Sequence, residues 1–199
     1  FRYSTRSLTS INRKKYLDTD DIVNVDHALM GGLELAAYYK GFRLQGEYIT
    51  NKVLLNDNLG EENFGGFYMY GSWLMFGGKH NYDAAAGEFT QPSRGKKWGD
   101  LELAFRYDYI DLNSRQEGIM GGAADGYTLG LNWHANENVK FMLNYAILNH
   151  DRYATGKGKL YVGHDIDGNL TKDPAQVIDA AGKAGEDFSF LSIRCEIDF

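Results

Sequence analysis

The sequence predicts an all-β chain, an antiparallel up-and-down meander of about eight membrane-spanning strands. Three observations carry that class. Residues 125–149 (DGYTLGLNWHANENVKFMLNYAILN) alternate twice around a polar turn at Asn136-Glu137-Asn138. Tyr127, Leu129, Leu131 and Trp133 oppose Thr128, Gly130, Asn132 and His134; then Val139, Phe141, Leu143, Tyr145 and Ile147 oppose Lys140, Met142, Asn144 and Ala146. Successive side chains of a strand point to opposite faces, so each strand has one apolar and one polar face. Second, long connections alternate with mostly short ones, as they do where a barrel has outer loops and inner turns. Third, charges sit mid-strand on the polar face. Placing Arg106 in lipid would cost about 2–4 kcal/mol at the midplane, and Glu34 less, so that face needs water.

Taken in order, residues 1–10 (FRYSTRSLTS) alternate Phe1, Tyr3 and Thr5 against Arg2, Ser4 and Arg6, and are expected to form a first strand. Residues 11–26 gather charge and lose the alternation, which reads as an outer loop. His27 to Lys40 is the second strand, with Leu29, Leu33, Leu35, Ala37 and Tyr39 on its apolar face. Lys40-Gly41 makes a tight turn, the glycine supplying a positive φ. Phe42 to Val53 follows, with Arg43, Gln45 and Glu47 facing inward, and then a polar loop over 55–64. Gly65 to Gly77 is apolar on both faces; continuity sets Phe67, Met69, Trp73 and Met75 outward and Tyr68, Tyr70, Ser72 and Leu74 inward.

Residues 78–98 are a longer connection at an end where a short turn is expected. Asp100 to Leu112 alternates most clearly, with Leu101, Leu103, Phe105, Tyr107 and Tyr109 against Glu102, Ala104, Arg106 and Asp108. A Gly-rich loop over 113–124 leads into the 125–149 hairpin. The longest loop, 150–186, contains a small hairpin over 159–171 that turns at Asp167-Gly168. The last strand, Phe188 to Phe199, sets Leu191, Ile193, Cys195 and Ile197 outward. Ending at the inner side places the loops at 11–26, 55–64, 113–124 and 150–186 outside the cell and the turns at 40–41 and 136–138 in the periplasm.

Composition narrows the function classes. The 199 residues suit one domain. They begin at Phe1 with alternation under way, so the chain is expected to start inside a larger protein, any secretion signal lying upstream. No run of apolar residues is long enough for a transmembrane helix, which leaves strands open as the crossing element. One cysteine excludes an internal disulfide framework and a cysteine-based zinc site. A net charge of -6 without a basic block argues against a nucleic-acid partner.

YKGFRLQGEY (39–48), GFYMYGSWLMFGGKHNYDAAAGEF (66–89), LELAFRYDYIDLN (101–113) and TLGLNWHANENVKFMLNYA (128–146) resemble the C-terminal half of the phosphate-selective porin O/P family. RYSTRSLTSINRKKYLDTDDI near the start is similar to the segment that opens this half in such porins. The resemblance covers essentially the whole chain. It implies that 1–199 is the C-terminal part of a 16-stranded barrel in the bacterial outer membrane, its N-terminal half absent. It implies a homotrimer in outer-membrane lipid that passes phosphate, other small anions or hydrophilic solutes through an arginine-lined channel. It implies no cofactor and no enzymatic activity.

The pore-lining candidates are Arg2, Arg6, Arg43, Arg106, Arg194 and Lys140, set against Glu34, Glu47, Glu102, Asp108, Glu196 and Asp198. Arginines on a wet wall can act as weak serial anion sites, or can be paired with neighbouring carboxylates. Equal numbers of each sign leave no net field from this part of the wall, so phosphate selectivity does not follow from the charges.

Asp165, Asp167, Asn169 and Asp173 begin with the spacing of a calcium loop, but the glycine falls at Gly168, which fits a solvated hairpin tip instead. His27, His80, His134, His150 and His164 show no zinc spacing. Ser72 and Ser192 lack the context of a nucleophile, and no catalytic residue is expected. Lys157 and Lys159 either attract anions to the mouth or solvate a loop. Two other readings stand beside the porin: a nonconducting outer-membrane barrel with a surface-binding role, and a soluble β-sandwich binding module.

Overall fold

The computed structural model describes residues 1–8, 15–56, 60–114, 119–150, 163–171, 176, 178 and 187–198. Within them the chain is nearly all β structure without an α-helix. Seven long strands form one sheet: β3 (Val25–Tyr39), β4 (Phe42–Leu55), β5 (Glu61–Leu74), β8 (Asp100–Ser114), β9 (Ile119–His134), β10 (Val139–His150) and β13 (Phe188–Ile197). They pair antiparallel in sequence order, with β3 and β13 at the two edges. Three small ladders complete the set: β1 (Ser4–Thr5) with β2 (Leu17–Asp18), β6 (Lys79–Asp83) with β7 (Glu88–Ser93), and β11 (Gly163–His164) with β12 (Leu170–Thr171).

The all-β antiparallel meander is as expected, and the faces fall as the alternation requires. One row of ladder partners runs Tyr39, Phe42, Trp73, Leu103, Leu131, Leu143 and Ile193, apolar at every strand. The adjacent row on the other face runs Tyr38, Arg43, Ser72, Ala104, Gly130, Asn144 and Ser192. A slip of one residue in any pairing would exchange these sets, so the apolar face fixes the register. Aromatic neighbours reinforce it: Phe42 stacks on Trp73 at 5.7 Å, Trp133 on Phe141 at 5.5 Å, and Tyr107 meets Tyr127 at 4.9 Å. Ring pairs of this kind add about 0.5–1.5 kcal/mol beyond area burial. In β5, Phe67, Met69 and Trp73 are exposed while Ser72 and Leu74 are buried, which is the expected register.

The expected first strand is not part of the sheet. Positive φ at Ser7 (53°) and Leu8 (56°) breaks the extended backbone, and only Ser4–Thr5 pair, with Leu17–Asp18. This ladder lies against the inner face of the sheet. Leu17 and Ile22 join Val53, Phe64, Leu112 and Ala124 in a buried cluster, with Tyr3 packed against it at 5.1 Å from Phe64. Burying a leucine fully is worth about 1.5–3 kcal/mol, which draws this charge-rich stretch inward rather than out as a loop.

Other connections are shorter than expected. β4 runs to Leu55 and β5 starts at Glu61; β8 runs to Ser114 and β9 starts at Ile119. At the Lys40-Gly41 turn the positive φ falls on Lys40 (54°), not on the glycine. Gly41 is needed for space, since a Cβ there would lie 3.0 Å from the Leu74 carbonyl oxygen. The 78–98 connection is itself a hairpin, β6–β7, closed by the Gly87 N–H on the Asp83 carbonyl at 2.8 Å. The 163–171 hairpin turns over Asp165–Asn169 with Gly168 at φ 79°. Lys157, Lys159, Asp173 and Phe199 lie outside the described residues.

Candidate functional site

The inner face of the sheet gathers the charges, and most of its cations are already neutralised. Arg106 on β8 donates from Nε to Asp108 at 2.8 and 2.9 Å and from Nη2 at 2.5 Å, with its guanidinium 4.1 Å over the Tyr68 ring. Lys140 on β10 lies 3.0 Å from Glu196 on β13, whose other oxygen takes Arg194 at 2.9 Å. These are the ladder partners and near neighbours that alternation puts on one face. Glu102 is buried at 5 % exposure and accepts from Asn132 Nδ2 at 3.1 Å, Tyr70 OH at 3.1 Å and His134 Nε2 at 2.9 Å.

Arg2 and Arg6 sit away from the sheet. Arg2 binds Asp18 with both arms, Nε to Oδ1 at 2.7 Å and Nη2 to Oδ2 at 2.6 Å. Asp18 is 2 % exposed, and its hydrogen bonds and charge raise the Arg2 pKa further. A bidentate pair of this kind is a structural brace for the inward segment. Arg6 is exposed and has no ion pair among the described residues.

Glu34 and Glu47 are directly opposite each other on β3 and β4, and neither has an ion pair among the described residues. Like charges facing across a ladder repel, which is tolerated where water screens them. Arg43 is the remaining inner-face cation without a carboxylate among the described residues. Its Nη2 donates to the neutral Gln45 Oε1 at 2.5 Å, and its guanidinium lies 3.9 Å over the Phe89 ring and 5.1 Å over Tyr70.

Phe89 belongs to the β6–β7 hairpin, which lies across the inner face near Arg43. Tyr82 and Phe89 of the hairpin meet Tyr38 of β3 at 6.2 and 5.7 Å. His80 Nε2 is 3.4 Å from Ser72 Oγ on β5, and burial holds the imidazole below its ordinary pKa. Asp100, fully buried, accepts the backbone N–H groups of Phe76, Gly78 and Gly95 at 2.9, 2.8 and 2.9 Å and so ties both ends of the connection to the foot of β8. Cavities result among the described residues: two of about 430 and 220 Å³ between the hairpin and the sheet, and one of about 340 Å³ between the N-terminal segment and the sheet strands.

Sequence reasoning placed Arg43 and Gln45 on one face but missed Phe89 and Asp100, which complete the setting of Arg43. HNYD and EFTQ flanking AAAG carry the hairpin signal, a pair of short strands around an Asp and a Gly. At the 163–171 tip, Asp165 Oδ1 accepts the backbone N–H groups of Asp167 at 3.0 Å and Asn169 at 2.8 Å, so it caps the turn. No cluster able to hold a metal occurs among the described residues.

A family model described as phosphate-selective porin O and P matches residues 1–170. Porin O of Pseudomonas aeruginosa is 27% identical over 152 residues, which are 71% of this chain and 33% of that protein. An uncharacterized protein of Caulobacter vibrioides is 29% identical over 152 residues, 75% of this chain and 30% of its own length. The chain spans about a third of the length of these curated relatives. No solved structure matches. With the family model covering most of the chain, and an apolar outer face backed by a charged inner one, the chain belongs to the phosphate-selective porin O and P family.

Proposed function

We propose that this chain supplies part of the wall of an outer-membrane porin that passes small hydrophilic solutes by passive diffusion through a water-filled barrel. The observation that carries the reading is the pair of adjacent rows across all seven strands, one wholly apolar and the other bearing Arg43, serine, asparagine and glycine. Lipid against the first row and water against the second satisfy both. The edges at β3 and β13 then pair with further strands of a closed barrel, since an exposed edge is an aggregation hazard. The intact protein assembles as a homotrimer in outer-membrane lipid and needs no enzymatic step.

Arg2, Arg6, Glu34, Arg43, Glu47, Glu102, Arg106, Asp108, Lys140, Arg194 and Glu196 face or overhang the lumen. Because Arg2, Arg106, Lys140 and Arg194 are each held by a carboxylate, this part of the wall exerts little net pull on anions such as phosphate. Selectivity is therefore weak on this side, and size exclusion by the two inward segments sets what passes. Planar-bilayer recording of the purified intact protein tests the reading: discrete channel steps are expected. A folded trimer without channel events would instead make it a nonconducting barrel.

A further inference from the structure

We propose that the cavity beneath the β6–β7 hairpin binds an organic monocarboxylate carried on a flat apolar body, with Arg43 as the anchor for its carboxylate. The inference rests on the porin reading in taking the inner face as wet. Arg43 differs from the other arginines and lysines of the inner strands. Arg106, Lys140 and Arg194 each have a carboxylate within 3.0 Å, whereas the Arg43 side chain bonds only the neutral Gln45 amide among the described residues. Its Nε is buried and has no hydrogen-bond partner among the described residues.

The guanidinium is stacked by its face, 3.9 Å over Phe89 and 5.1 Å over Tyr70. A stacked guanidinium keeps its edge for in-plane hydrogen bonds, which is the direction from which a carboxylate binds with two arms. The same rings partly desolvate the guanidinium, which strengthens a charge-assisted hydrogen bond from its outer nitrogens to an anion. Arg43 lines the cavity of about 430 Å³ together with Tyr70, Phe89, Pro92 and Met142, which supply apolar walls for the body of the ligand. That volume is within the range of small-molecule sites.

The charge of the ligand follows from the rest of the lining. Lys140 is committed to Glu196 at 3.0 Å, and Glu102, Glu196 and Asp198 bring three carboxylates to the same cavity. Glu196 is neutralised by Lys140 and Arg194, so the one uncommitted guanidinium is offset by Glu102 and Asp198 and can hold a monoanion at most. A phosphate dianion needs several donors and would be repelled. The site thus selects a class of solute different from the one in the family's description.

The test uses the intact protein folded in detergent, with benzoate as the probe and saturation-transfer NMR as the binding readout. Benzoate is expected to bind in the millimolar range, with binding weakened about tenfold by Arg43→Gln and several-fold by Phe89→Ala. Arg43→Lys, which keeps the charge and loses the planar fork, is expected to weaken it too, and it carries the test should Arg43→Gln not fold. Inorganic phosphate at equal concentration is expected not to displace benzoate. Absent benzoate binding, binding unchanged in the Arg43 variants, or displacement by equimolar phosphate would each overturn the proposal. Conductance of the same preparation separates the two readings: benzoate bound without channels defeats the porin alone, and channels without benzoate binding defeat this site alone.

Discussion

The Asp100 carboxylate accepts the backbone N–H of Gly78 at 2.8 Å, and this bond ties the neck of the β6–β7 hairpin to the foot of β8. Asp100 is fully buried, and its two oxygens also take the N–H groups of Phe76 and Gly95. Asp100→Asn leaves one acceptor oxygen and turns an NH₂ toward N–H donors. The expected loss is about 1–3 kcal/mol of local stability. Limited proteolysis at the Asp83–Gly87 turn, faster in the variant than in the parent, is the check.

The N-terminal segment has its own brace. Asp18, buried, holds the half-exposed Arg2 with two hydrogen bonds of 2.7 and 2.6 Å. Asp18→Asn is expected to loosen residues 1–8 from the inner face, modestly because Arg2 is reached by water. Single-channel conductance should rise, because a segment that narrows the lumen is released. Unchanged conductance with unchanged hydrogen exchange at Tyr16–Ile22 would mean the pair holds nothing.

Acidification acts on the hairpin through His80. Burial lowers its pKa, against an opposing pull from Glu102, while Arg43 and His134 push the same way as burial. The docked hairpin therefore favours the neutral imidazole. Its contribution to docking is complete above the ordinary histidine value of about 6.5 and is lost as pH falls through the lower docked value. Protection factors over residues 79–93, which correct exchange for its intrinsic slowing in acid, should fall as pH drops below about 6.5, and His80→Gln should flatten that dependence.

The two faces respond oppositely to charge. Leu103 lies in the apolar row between Trp73 and Leu131, and Leu103→Arg should cost about 2–4 kcal/mol in lipid. Asn144 lies in the neighbouring polar row, and Asn144→Arg should unfold in urea close to the parent. Equal losses in both would place lipid, or water, on both faces.

Much of the sheet was legible because period two and a two-faced environment agree over whole strands. Asp100–Ser114 and the 125–149 hairpin, with its Asn136-Glu137-Asn138 turn, appear where the alternation puts them. Residues 1–8 misled because Phe1, Tyr3 and Thr5 alternate like a strand, yet Tyr3 packs inward on Phe64. Their partner was hidden for a related reason. KKYLDTDDI reads as a solvated loop, while its Tyr16, Leu17 and Ile22 are buried under the charges. Arg43 could be placed on the inner face from sequence, but its stacking on Phe89 joins residues far apart in the chain, and no local pattern encodes it. The ion pairs of Arg106 and Lys140 were visible only as equal counts of sign; which partner each takes depended on ladder register.

The central claim is that one face of this sheet meets lipid and the other meets water. In a Cys195→Ser background, single cysteines placed along 125–149 and treated from the aqueous side with a charged, membrane-impermeant thiosulfonate test it directly. Cysteines at Thr128, Asn132 and Asn144 should react and reduce channel current, and those at Leu129, Leu131 and Leu143 should not, giving reactivity with a period of two. Uniform reactivity at all six positions, or reaction confined to the leucine positions, would contradict the account.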